Sequence, residues 1–420
     1  MQDITISSGS INVHLRGALS YNPNGTVQAG PGGVEVLGYT FGRAGTSAQV
    51  RNPTGLTDGG TPITSTVPAG TKLRAGDSLV VLFRHEPHTA HSENDEALAL
   101  VVVPFEVTGA MMRPPAIGSP DHPLVHFLRN NPIIVPGASD IVKRLPSIID
   151  VNSLPVPWGQ WATARPSLPM LTAEFDAFCG ELWQGWGTYY QTPSMQHPGY
   201  GRTLQFKVSQ ALCMLLSTDP IEQKLPLAYH LTQWGIDLVG AFAMGRDDGA
   251  NGGHMQARKA LIVFSGHMLD APWKNPSEFL PFGRFAEDEL FTEVLPRAFP
   301  WGWRFGYRGH HDTNVLPLTQ PIETWAWHWA SPAWYLARYM PHTCGAQVGT
   351  ALAFRLLGLN GMGDAHRGML EQWMQGPPAD VRAQLAAHHP ELGAIPWGTD
   401  YSEDSVGFCR EAWKRYYPTA

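Results

Sequence analysis

The pattern of apolar and polar residues changes character along this chain. In the first part, apolar residues alternate with polar ones or gather in short β-branched runs. These runs, at Ile11–Leu15, Val34–Tyr39, Ser78–Arg84 and Leu98–Val107, predict strands. Asn-Pro-Asn-Gly, Gly-Pro-Gly-Gly and Asp-Gly-Gly separate them as turns. Strands this short and this regularly spaced predict an antiparallel β-sandwich-like or jelly-roll-like domain over residues 1–110. Residues 111–165 hold many prolines and little periodicity. They predict a linker that wraps the surface, with one short helix near Ala138–Leu145.

From Leu171 the period becomes helical. Thr203–Leu216 carries apolar residues at helical spacing. Asp219-Pro220-Ile221-Glu222 then reads as a fresh start, with Asp as N-cap, Pro at the first helical position and Glu where a capping box needs it. That helix runs to about Met244, with Pro226 near its first turns. Met255–Leu269 predicts another helix, and Ser331-Pro332 begins one more. Gly345–Leu357, Asp364–Gln375, Pro378–His388 and Ser402–Tyr417 follow. Short connections imply antiparallel neighbours, and no repeat of solenoid length recurs. Many unlike helical hairpins over 166–420 fit a bundle or an (α/α) toroid, complete or incomplete. The whole reads as an α+β multidomain chain.

Composition narrows the picture. The chain has 420 residues, of which 43% are hydrophobic and 10% aromatic, enough for a large core and against general disorder. All 15 Trp lie at or beyond Trp158, which sharpens the division into halves. No apolar run reaches the length of a membrane-spanning helix. A net charge of −7 argues against a general nucleic-acid binder. The start, MQDITISSGS, lacks the basic residues and apolar run of a signal peptide. The chain is thus expected either not to use that export route or to have had such a segment removed. The four cysteines form no C-x-x-C pair, so neither a zinc ribbon nor a disulfide scaffold is indicated, and Cys213 reads as a small core residue.

Two segments concentrate chemistry. In Gly245–Lys259 an apolar helix ends, a Gly-rich turn follows and a new helix begins near His254. Asn251 and His254 would sit at a helix N-terminus, where free amides favour an anion. Arg258 would share a helix face with His254 four residues earlier. The plainer reading is a capping turn with a solvated Arg. The turn lacks the Gly-Lys-Ser/Thr ending of a phosphate loop. The second segment, Trp301–Asp312, offers Tyr307, His310 and His311 as proton carriers. Arg304 and Arg308 there could hold a carboxylate, and aromatic rings such as Trp301 and Trp303 could stack on sugar faces. Its plainer reading is a packed aromatic loop. A weaker third segment ends at Tyr200 and Arg202 and could line a cleft. His85, His88 and His91 read as a polar loop, so no metal site is assigned. No G-x-S-x-G elbow supports a serine hydrolase.

Asn251–Lys259, followed by an apolar helix, resembles a motif of the helical-toroid polysaccharide lyases, which include alginate and glucuronan lyases. The resemblance covers mainly residues 170–420, and its specific part is short. It implies β-elimination at a uronate, with no cofactor, an acidic polysaccharide as partner and a secreted or periplasmic location. Asn251 and Arg258 would face the carboxylate, and His254 would be base or carboxylate partner. Tyr307 would be the acid, or acid and base together; it, His310 and His311 are chosen from local chemistry rather than from the motif. The first alternative is a toroid glycoside hydrolase using Asp247 or Asp248 with Asp312 or Glu323. The second is a non-catalytic glycan-binding protein of a particle or cell surface.

Overall fold

Alternation along the first hundred residues is carried through into one sheet. The computed structural model describes residues 2–8, 11–41, 47–51, 67–84, 96–155, 166–175, 201–246, 248–249, 256–280, 285–293, 305–307, 332–388, 390–393, 395, 397 and 406–417. Eight strands make the sheet: β1 (Gln2–Ser8), β2 (Ile11–Tyr21), β3 (Thr26–Ala29), β4 (Val34–Phe41), β5 (Ser47–Arg51), β6 (Lys72–Leu73), β7 (Ser78–Arg84) and β8 (Glu96–Val103). Their order is β5-β7-β8-β3-β2-β4-β6, with β1 also paired to β2. The strands expected as a sandwich or jelly roll thus belong to one hydrogen-bonded sheet, nearly closed on itself. Its pairings are antiparallel except for β3 with β8, which run parallel, a departure from the antiparallel expectation.

One face of these strands (Ile4, Val13, Leu15, Val36, Leu79, Val81, Leu100 and Val102 among them) converges on a single core. Period-two side-chain alternation puts the intervening residues of β7 and β8 on the other face. There Val80, Ala99, Val101 and Val103 meet Val107, Ala116, Ile117 and Ala241. Burial on both faces explains why these two strands read as continuous apolar runs rather than as alternating ones.

Residues 111–155 hold more structure than a linker. β9 (Met111–Met112) pairs with β10 (Ile133–Ile134), and α1 (Pro123–Asn130) lies between them. α2 (Ala138–Arg144) falls where a short helix was expected. Two buried arginines fasten this segment. Arg129 of α1 donates to the carbonyls of Pro115 and Gly76 and to Ser78 Oγ at 2.8–3.1 Å. Arg113 grips Asp237 through both carboxylate oxygens, at 3.0 and 2.6 Å.

The rest is helical: α3 (Leu168–Phe175), α4 (Gly201–Leu215), α5 (Ile221–Ala243), α6 (Arg258–Leu269), α7 (Pro276–Phe279) and α8 (Ala286–Glu289) come first. The short strands β11 (Phe291–Glu293) and β12 (Phe305–Tyr307) pair antiparallel, and α9 (Pro332–Leu356), α10 (Asp364–Gln375), α11 (Ala379–His388), α12 (Pro390–Gly393) and α13 (Val406–Tyr416) follow. α9 is one helix through Pro341, where the pattern predicted two separate starts. α5 begins at Ile221, and Asp219 accepts from the Ser217 hydroxyl rather than capping the helix. The large core runs through α3, α4, α5, α6, α9, α10 and α13. Helices approach closely where glycine allows it. A Cβ at Gly235 of α5 would lie 2.3 Å from the Leu261 carbonyl of α6, and one at Gly349 of α9 would lie 2.8 Å from the Ser209 carbonyl of α4. Among the described residues no helix is long and apolar enough to cross a membrane.

Candidate functional site

The Gly-rich turn after α5 is anchored on both sides by one short stretch. Before it, Asp248 bridges to Phe285, and its carboxylate accepts from Arg246 Nε at 2.9 Å in a buried ion pair. After it, Lys259 forms an ion pair with Asp288 and lies 5.7 Å from the centroid of the Phe285 ring. Phe285 itself stacks on Phe242 of α5 at 4.5 Å. The ends of the turn are therefore held at residues 285–288 by aromatic packing and by charge together.

α6 starts later than its sequence suggests. Ala257 has φ 79°, a left-handed conformation that breaks any helix running through it, so Arg258 is the first helical residue. The helix expected to begin near His254 is thus described from Arg258 onward, and His254 lies outside the described residues. Residues 256–259 are nevertheless a concentrated polar group. Gln256, Arg258 and Lys259 are all buried, and Arg258 Nη1 donates to the Gln256 carbonyl at 2.6 Å. Two cations stand in the first turn of α6, where the helix dipole is already positive, and no acid of the helix balances them there. Asp288 of α8 supplies the opposing charge to Lys259 from outside.

A chain of hydrogen bonds continues from this point. Gln347 of α9 donates from Nε2 to Gln256 Oε1 at 3.0 Å. His366 of α10 donates from Nε2 to Gln347 Oε1, because an amide oxygen can only accept. The proton on Nε2 leaves Nδ1 as a bare acceptor, buried and without a partner among the described residues. Burial pushes the His366 imidazole down to about 3, so it is neutral at ordinary pH. The Phe291 ring of β11 packs against it at 5.1 Å, and β11 pairs with β12 so that Phe291 lies opposite Tyr307.

Glu287 of α8 completes the cluster. It is fully buried, and neither carboxyl oxygen has a hydrogen-bond partner among the described residues. Burial pushes this carboxyl up to about 7, against the pull of the nearby Lys259 ammonium. The cluster therefore contains a neutral imidazole acceptor, a carboxyl that holds its proton near neutrality and two buried cations.

Of the residues expected from sequence, Arg258 is described in full. It is buried, and its Nη1 donates to the Gln256 carbonyl. Tyr307 is described by its backbone in β12, and Arg202 by its backbone in α4. Asn251, His254, Trp301, Trp303, Arg304, Arg308, His310, His311 and Tyr200 lie outside the described residues, as do His85, His88 and His91. Of the acids offered for the hydrolase alternative, Asp248 is described, and its carboxylate is paired with Arg246. Its other three acids, Asp247, Asp312 and Glu323, lie outside the described residues. Among the described residues no group of three or more His, Cys, Asp or Glu is placed to hold a metal ion.

Gln256, Lys259, Glu287, Gln347 and His366 were not singled out by sequence reasoning. Gln256 and Lys259 fall inside the motif already marked, so that signal was present. Glu287 sits in an Ala-Glu-Asp-Glu run that reads as a solvated face. Gln347 and His366 become notable only when α9 and α10 are packed together. No family model, curated protein or solved structure matches the chain.

Proposed function

We propose that this protein is a lyase that cleaves a uronate-containing polysaccharide by β-elimination, with its helices arranged as a complete or incomplete toroid around the cleft. One observation carries the reading. The positive start of α6 and the strand bearing Tyr307 are linked through one continuous buried network, Gln256–Gln347–His366–Phe291. The described parts of the two segments singled out in the sequence, residues 256–259 and 305–307, are each joined to this same chain of contacts, which supports the reading.

Elimination requires the uronate carboxylate to be neutralised so that the C5 proton becomes acidic. A base then takes that proton, and an acid protonates the departing O4. Asn251 and His254, on the turn whose ends the 285–288 stretch holds, are the groups assigned to the carboxylate and to the base. Tyr307 is assigned to O4, with Arg304 and Arg308 steering the polyanion and Trp301 and Trp303 stacking on sugar faces. Arg258 takes a different part from the one expected. Its buried guanidinium holds the Gln256 carbonyl and lends positive potential to the start of α6. The overall negative charge opposes a polyanion only at long range, because salt screens that field within about 8–10 Å.

The test is incubation with alginate, glucuronan, hyaluronan and pectin, followed by near-ultraviolet absorbance. Elimination leaves an unsaturated, absorbing product. New reducing ends without absorbance would replace this reading with hydrolysis, and no product from any polymer would replace it with glycan binding alone. His254→Ala and Tyr307→Phe should each cut turnover by about a hundredfold or more in a folded protein. Wild-type rates in both would overturn the site.

A further inference from the structure

Two thiols that the proposed chemistry does not use meet in the helical core. Cys213 lies on α4 and Cys409 on α13, and both are buried. Cys213 Sγ donates to the Gly349 carbonyl of α9 at 3.4 Å. A Cβ built at Gly349 would stand 2.7 Å from Cys409 Sγ, so both sulfurs lie against the same glycine. They also hydrogen-bond each other, and that bond together with burial holds the Cys409 thiol well above the ordinary thiol range. Any larger residue at 349 would push a sulfur aside. The absence of a short cysteine spacing gave no sign of this pair, because it forms only when the last helix docks across α4 and α9.

We infer that Cys213 and Cys409 are a covalent modification site, a dithiol that a small-molecule disulfide converts into an intramolecular disulfide tying the C-terminal helix to the core. The inference is independent of the lyase reading. One thiolate attacks a sulfur of the reagent RS–SR, forming a mixed disulfide and releasing RS⁻. The second thiolate attacks the protein sulfur of that mixed disulfide, forming the Cys213–Cys409 bond and releasing the second RS⁻. The two protons lost by the protein leave with the two RS⁻ as RSH, so the protein is oxidised by two electrons and the reagent reduced by two. Both thiols are shut away from solvent once α13 is seated, so the first attack belongs to folding or to opening of that helix.

The test uses the full chain, refolded with oxidised glutathione and compared with a fully reduced sample. Expected is an intact mass lower by two hydrogens and a non-reduced peptide map linking Cys213 to Cys409. The oxidised form should melt several degrees higher than the reduced one. Cys409→Ala should abolish both the mass change and the melting shift, and Cys213→Ala serves the same purpose if that variant does not fold. The inference is overturned if all four cysteines are alkylated after unfolding of the oxidised sample, or if the link runs through Cys179 or Cys344.

Discussion

A buried carboxyl without a hydrogen-bond partner holds its proton to higher pH, and among the described residues Glu287 is in that position. Its pKa rises from 4.5 to about 7 on folding, so its contribution to stability is fully present below pH 4.5 and is lost as pH rises through 7. Glu287→Gln removes the titration while keeping the shape. Relative to wild type, the variant should gain up to about 3 kcal/mol between pH 4.5 and pH 8, read from urea midpoints at each pH. A difference that does not change with pH would show that Glu287 is solvated or paired. His366 acts in the opposite sense. Its pKa falls from 6.5 to about 3, so its contribution is whole above pH 6.5 and fades as pH drops toward 3. Neither residue was legible from the chain. An acid among acids suggests a wet helix, and a His between Ala and Arg suggests a surface. Burial reverses both readings, and burial is set by tertiary packing, such as the Phe291 ring against His366, which no local pattern encodes.

At the scale of elements, α5 joins the two halves. Three of its residues dock on 113–117. Gln233 exchanges two hydrogen bonds of 2.9 Å with the Arg113 backbone. Asp237 takes the Arg113 guanidinium and the Ala116 amide. Gly240 lies so close that a Cβ there would stand 2.3 Å from the Ile117 carbonyl. Asp237→Asn leaves the Arg113 charge buried and poorly matched, and should cost about 3–5 kcal/mol. Gly240→Ala should cost about 1–3 kcal/mol by overpacking against that carbonyl. Denaturant midpoints check both, and two changes within about 0.5 kcal/mol would place the docking elsewhere. Elements with a clear period were legible: β2, β4, β7, β8, α4, α5, α10 and α11 fall close to where alternation or helical spacing put them, and α2 lies where a short helix was expected. α1 was hidden among prolines because Pro123 opens it at a position where proline is tolerated. The start of α6 was misplaced because Ala257, an ordinary helix former, adopts a left-handed conformation. Within the candidate site, the turn near 256–259 was visible as a motif, whereas its partners on α8, α9 and α10 were not.

At the scale of the molecule, the sequence suggests a boundary at 110, and the packing crosses it. The composition shift is real, yet the outer face of β7 and β8 is covered by residues from beyond that point: Ala116, Ile117 and Ala241. Continuous apolar runs in those strands signalled that both faces are buried, but not what covers the second. A sheet cut loose at 110 would expose Val80, Val101 and Val103, which are now shut from solvent. It would also release the Gly76 carbonyl and Ser78 hydroxyl from the buried Arg129 guanidinium. Exposing that much apolar surface while leaving polar groups unmatched is costly on both counts. Sheet and helices should therefore unfold together. Calorimetry of the full chain is expected to show one transition whose van't Hoff and calorimetric enthalpies agree. A fragment of residues 1–110 should aggregate or melt far below it. Two separate transitions, the lower or upper one reproduced by that fragment alone, would mean that α5 and the arginine clamps hold two autonomous bodies in contact rather than a single cooperative unit.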